Sequence, residues 1–231
     1  MDAARASTTS GTVKATAGSG ACALTPELTA GPYYLAGPLI RRDITEGRPG
    51  LPLDLHLTVI DSTTCRPLAS AAVDVWHCDA DGRYSGFNGN TLAETEANGR
   101  NDERYLRGVQ LTGAGGTASF STIYPGWYEG RAIHIHLEVR VGGTAGASHA
   151  GGHVAHVGQL FFADTISNRV MKLPAYAVHG GTRTTNAEDS IFLQGGASSI
   201  VQLTPTSAKG FAGRITLSVN PGATPPAAPM F

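Results

Sequence analysis

Residues 131–140, RAIHIHLEVR, alternate apolar and polar side chains from Ile133 onward. A period of two is the pattern of a strand with one face in a core. Ile133, Ile135, Leu137 and Val139 form that face; His134, His136 and Glu138 form the other, pointing outward or into a cleft. Side chains two apart on a strand lie roughly 6 to 7 Å apart along the chain, so His134 and His136 can grip one object. The pair alone does not name it: a metal is one reading, ordinary surface or core histidines are another.

Working outward, similar short runs recur between turn signals: LPLDLHLTVI (51–60), AAVDVWHC (71–78), YLRGVQLTG (105–113), TASFSTIY (117–124), VGQLFFAD (157–164), SIFLQ (190–194), SIVQLTP (199–205) and GRITLSV (213–219). Gly-, Asp- and Pro-rich separators divide them. This spacing predicts an all-β chain, an antiparallel β-sandwich with long loops at its site. Only TISNRVMKL (165–173) reads as helix, and there is no internal repeat. Segment 22–50 has too many prolines and glycines for a core strand, yet its PYYL carries aromatic mass; it reads as an extended N-terminal arm across the sandwich. Residues 1–21 read as a flexible leader or linker, 22–222 as one domain and 223–231 as a tail.

Composition narrows the partners. With 17 basic against 18 acidic residues and a formal net charge of -1, the chain of 231 residues has no electrostatic footprint for nucleic acid or an anionic membrane. No apolar run is long enough to span a bilayer. Of three cysteines, Cys65 and Cys78 bracket a strand whose ends lie on the order of 20 Å apart, beyond disulfide reach. A Cys22–Cys65 bridge with Cys78 as a buried thiol is favoured over three free thiols.

Three further places carry side chains that a bare sandwich does not need: Tyr84 after the turn in DVWHCDADGRYSGF (74–87), Tyr128 in TIYPGWYEGR (122–131), and Gln159 opening QLFF. Zinc on the HxH pair would ask for a third histidine, a carboxylate or thiolates, whereas phenols suit a harder, more highly charged ion. Two phenolates would bring a ferric ion down to a charge of +1.

The ordered motifs GRYSGF, TIYPGWY, RAIHIH and GQLFF resemble those of the intradiol ring-cleavage dioxygenases, over roughly Leu24 to Ala163. The resemblance implies a non-haem Fe(III) held by Tyr84, Tyr128, His134 and His136, with catechol replacing Tyr128, and Arg131 and Gln159 as active-site residues. It implies a small aromatic diol and O2 as reactants and a cis,cis-muconate as product. LTPELTAGPYYL (24–35) is similar to the family's TEGPYY-like opening, so Tyr33 and Tyr34 are expected at the substrate, and Trp127, which flanks the Tyr128 loop, is expected to wall the same pocket. Thr29-Ala30 stands where an acidic residue is usual, which weakens only this pocket assignment.

The resemblance to the exported, single-domain branch implies a secreted monomer or weak oligomer. Gly126 and Gly130 are expected to let Tyr128 move. Two rival functions are a non-catalytic binding module presenting Trp76, Trp127 and Tyr128 as an aromatic platform, and a zinc hydrolase built on the HxH pair. His77 reads as structural; His149, His153 and His156 read as a solvated Gly-rich loop; His56 and His179 have no constellation around them.

Overall fold

The structure, a computed structural model, describes residues 22–89, 94, 97–177 and 180–225; the leader 1–21, the last six residues of the tail and His179 lie outside them. In chain order the strands are β1 (Pro52–Asp61), β2 (Ala72–Trp76), β3 (Arg107–Leu111), β4 (Thr117–Ile123), β5 (His134–Val141), β6 (Thr144–Ala145), β7 (His149–Ala150), β8 (His153–Phe161), β9 (Gln202–Pro205) and β10 (Phe211–Val219). Helix α1 (Asp164–Val170) falls where TISNRVMKL predicts one.

Two four-stranded sheets, in the orders β4-β1-β10-β9 and β3-β2-β5-β8, pack face to face, and β6 and β7 form a separate hairpin. Leu53, Leu55, Leu57 and Val59 of β1 meet Val73, Val75, Ile135, Leu137 and Val139 of the second sheet in one apolar core. Full burial of each such Val, Leu or Ile contributes roughly 1.5–3 kcal/mol. Slipping β5 by one residue would place its histidines in this core, so the isoleucines fix the register that turns His134 and His136 the other way.

Three features depart from the sequence reading. The sandwich is not wholly antiparallel, because β1 pairs with β10 in parallel from Leu53↔Phe211 to Asp61↔Val219. SIFLQ is not a strand; Asp189 caps the amides of Ile191 and Phe192, and a 3-10 turn follows at Phe192–Gln194. Nor is SHAGGHVAHVGQ a solvated loop: Gly151 and Gly152 make the bend, and His153–Phe161 is a nine-residue strand whose His156 is wholly buried. Its Nδ1 lies 2.6 Å from the Glu27 carboxylate, a partner 129 residues away that no local pattern reveals.

The arm is present and bonded to strand after strand. Thr25 N–H donates to Ser218 of β10, Leu28 N–H to Val157 of β8, Arg41 N–H to Val109 of β3 and Ile44 N–H to Ser121 of β4. The Cys22–Cys65 disulfide ties its start to the end of β1, and Cys78 stays free and buried. The arm therefore covers much of the second sheet's outward side, and the face carrying the histidines becomes interior.

Candidate metal centre

That second interior is where the unusual side chains gather. On β5, His134 and His136 are 2 % and 0 % exposed, so the cleft expected from alternation is roofed over. The β2 and β8 partners of His136 are Trp76 and Gln159. Trp76 stacks on the His136 ring at 5.1 Å, and Tyr34 packs edge-on against Trp76 from behind. On the arm, Gly31 sits at φ +66°, and a Cβ there would come within 2.9 Å of His136 Cε1; only glycine lets the backbone close this tightly.

Tyr84 and Tyr128 arrive from two loops. Their rings are 5.6 Å apart, and Tyr33 stacks on Tyr84 at 4.3 Å and meets Tyr128 edge-on. Tyr128 Oη lies 3.2 Å from His134 Nε2, which lies 3.0 Å from His136 Nε2. His134 Nδ1 donates to the Ala132 carbonyl at 2.6 Å, which fixes the tautomer and leaves an Nε2 lone pair facing these neighbours.

Burial, reinforced by Arg131, holds the His134 and His136 imidazoles well below the usual histidine range, so both are neutral and ready to bind a cation. Burial likewise pushes the Tyr84 and Tyr128 phenols up. Tyr84 Oη is buried without a well-formed hydrogen bond, and His136 Nδ1 faces the backbone of Thr29 without closing one. A buried hydroxyl without a partner normally costs on the order of 1–3 kcal/mol. Two neutral imidazoles beside an orphaned phenol and a second phenol are a donor set that a hard, highly charged cation would complete. The further protein donors beside the two imidazoles are the phenols of Tyr84 and Tyr128; among the described residues no group of three His, Cys, Asp or Glu is placed to hold a metal.

Arg131 stands beside the four. Its guanidinium reaches Tyr128 Oη at 3.5 Å through Nη1 and Gln159 Oε1 through Nη2, while Gln159 Nε2 donates to the Thr29 carbonyl at 2.8 Å. Gln159 is wholly buried, with Oε1 engaged by Arg131 and Nε2 by the Thr29 carbonyl, so it braces Arg131 and the arm. Arg131 Nε donates to Asp189, a residue with no local sequence motif that the sequence reading missed.

The remaining expected pocket residues divide. Tyr33 walls the site, whereas Tyr34 lies one layer back, where its hydroxyl takes a bond from Arg140. Trp127 is buried in the main core at 6 % exposure and Trp76 at 1 %, so neither stands at the surface where the binding-module reading puts them. Gly126 is not a hinge: a Cβ there would lie 2.4 Å from the Asp79 carbonyl, so it is glycine for close packing. Gly130, at φ +81° with open space around it, can accommodate movement.

Residues 29–165, which include the sandwich strands carrying these side chains, match the protein-family model described as Dioxygenase. The chain belongs to the intradiol ring-cleavage dioxygenase family. It is 34% identical to an intradiol ring-cleavage dioxygenase from Tetranychus urticae, covering 88% of this chain and 98% of that one with a TM-score of 0.76. A second dioxygenase crystal structure is 35% identical, with 90% and 98% covered and a TM-score of 0.79. Catechol 1,2-dioxygenase 1 of Acinetobacter lwoffii is 35% identical over 109 residues, which are 45% of this chain and 32% of that protein; the match spans about a third of the curated relative's length.

Proposed function

We propose that the protein is an Fe(III)-dependent intradiol dioxygenase that opens catechol, or a simple catechol derivative, between its hydroxyl-bearing carbons to a cis,cis-muconate. The observation that carries this reading is the convergence of Tyr84, Tyr128, His134 and His136, with the Tyr84 hydroxyl orphaned and the two imidazole Nε2 atoms 3.0 Å apart. These four would hold the iron, through both phenol oxygens and both Nε2 atoms. When bound, a ferric ion would supply Lewis acidity that keeps the phenols ionised and activates a bound diol towards O2.

The chain's own groups do the rest. Tyr128 Oη, beside His134 Nε2 and Arg131 Nη1, is placed to take a catechol proton as substrate enters. Arg131 Nη1, 3.5 Å from Tyr128 Oη, is placed to stabilise negative charge on a ring oxygen that moves into that position. Tyr33 and the stacked Trp76–His136 pair keep water from the back of the site. The Cys22–Cys65 disulfide supports a secreted or otherwise oxidising location, and the near-neutral charge of -1 supports a small uncharged diol over a polyanion.

Loading with ferric ion is expected to give a wine-red protein that consumes one O2 per catechol. A panel of catechol, 4-methylcatechol, protocatechuate and hydroxyquinol ranks the substrates, and light scattering tests the expected monomer or weak oligomer. An iron-loaded, red protein that consumes no O2 with any of the four would overturn the proposed activity.

A further inference from the structure

Asp189 is the most deeply buried carboxylate near the site, with no solvent exposure, and its two oxygens do different work. Oδ1 accepts from the amides of Ile191 at 2.7 Å and Phe192 at 3.0 Å, an ordinary turn cap that opens the following 3-10 turn. Oδ2 is surplus to that turn. It accepts from Arg131 Nε at 3.0 Å and from the Ala132 amide at 2.7 Å, so one oxygen grips both the guanidinium and the backbone beside it.

The arrangement leaves Arg131 little freedom. Nε is held by Asp189 and Nη2 by Gln159, which is itself held by the arm at Thr29; Nη1 is the nitrogen directed at Tyr128. A planar guanidinium with two of its three nitrogens tied presents one edge in one direction. The segment bearing Asp189 is seated as firmly. Leu28, Ala132, Phe161 and Ile191 form a small apolar cluster of their own, and Gly196 packs so closely on Phe161 and Phe192 that a Cβ would lie within 2.8 Å of either ring.

We propose that Asp189 is a positioning residue for the reaction: it acts through Arg131, aiming Nη1 at the oxygen that occupies the Tyr128 side of the site. This rests on the ring-cleavage reading above, in which Arg131 meets the substrate. Two segments far apart in the chain, β8 at Gln159 and the turn at Asp189, converge on one side chain, and the arm at Thr29 holds the first of them. The same carboxylate also neutralises a guanidinium that would otherwise sit uncompensated beside two imidazoles.

Asp189→Asn is the test, because an amide oxygen keeps the Oδ1 cap while the amide nitrogen puts a donor against the Arg131 and Ala132 donors. In iron-loaded protein, kcat for catechol is expected to fall about 10- to 100-fold with KM changed less than about threefold. In an Arg131→Lys background the same substitution is expected to cost no further activity, whereas a merely structural carboxylate would cost as much in both backgrounds and overturn the proposal. Hydrogen exchange of arginine Nε–H, read by 15N NMR on metal-free protein, gives an arm independent of turnover. Arg131 Nε–H is expected to exchange slowly in the wild type and fast in Asp189→Asn. If Asp189→Asn does not fold, the wild-type signal alone decides, and fast exchange there refutes the clamp. A wild-type protein that cleaves no catechol would overturn the proposed function instead, and the exchange measurement would still test Asp189.

Discussion

The two outward faces of the sandwich carry histidines in the same kind of position and put them to different ends. His56 points outward from β1, half-buried, with Nδ1 2.9 Å from Ser119 Oγ on the neighbouring strand. His136 points outward from β5 and has no exposure at all. Both strands alternate cleanly and both keep their aliphatic residues in the shared core. The difference is a second layer: Gly31, Tyr33 and Tyr34 of the arm and the loops bearing Tyr84 and Tyr128 close over β5, and nothing comparable closes over β1 among the described residues. A candidate metal centre thus arises less from the HxH pair than from what covers it. His77 sits at the seam, with Nε2 2.7 Å from Thr122 Oγ1 at the end of β4 and Nδ1 2.8 Å from the Cys78 carbonyl.

The comparison can be broken first at the donor set. Tyr84→Phe and His136→Ala are each expected to abolish the red colour and catechol turnover, a loss beyond the roughly 10- to 100-fold typical of a group behind a ligand. Either variant keeping iron and full activity would remove the covered face's distinction. Acid stability probes the seam. Burial holds the His77 imidazole down at about 4 against an ordinary 6.5, so folding favours its neutral form. Its contribution is complete above pH 6.5 and is lost as pH falls from there toward about 4, on the order of 3 kcal/mol in all. Urea melts from pH 7 to 4 on wild type and His77→Asn check this: the variant should be weaker at pH 7 and show a flatter slope.

Gly31→Ala tests the cover itself. It forces a side chain at φ +66° and a contact of 2.9 Å with the His136 ring, for an expected cost of about 1–3 kcal/mol and a measurable drop in iron affinity by chelator competition. Smallest of all, His56→Gln and Ser119→Ala on the open face should each change stability by no more than about 0.5 kcal/mol and leave turnover at the wild-type level. A large effect there would mean that the two faces are not as different as their coverings suggest.

Much of this was legible in the chain because it is written in local pattern. Period-two alternation locates β1 and β5, and the four motifs around Tyr84, Tyr128, His134 and Gln159 name the side chains that meet. What was not legible depends on pairings between distant residues. The parallel β1–β10 pair joins Leu53 to Phe211, the His156–Glu27 contact links β8 to the arm, and Asp189 reaches back to Arg131. Ser190–Gln194 was misread as a strand because a short apolar run does not distinguish a strand from a turn when a carboxylate caps its start. Trp127 was placed at the substrate because it flanks Tyr128 in sequence, yet Gly126 packed against the Asp79 carbonyl helps send the two aromatic residues to different sides of the loop.

The bracing of Arg131 from both ends of the domain bears on the order in which the protein is made. All four candidate ligands lie between residues 84 and 136, but the parts that cover and brace them lie at Glu27–Tyr34 and at Asp189–Ile200. During synthesis the ligands emerge well before the carboxylate that steadies the arginine beside them. The donors and the arm that covers them are therefore made before the carboxylate of Asp189, so the arginine beside the ligands is braced last.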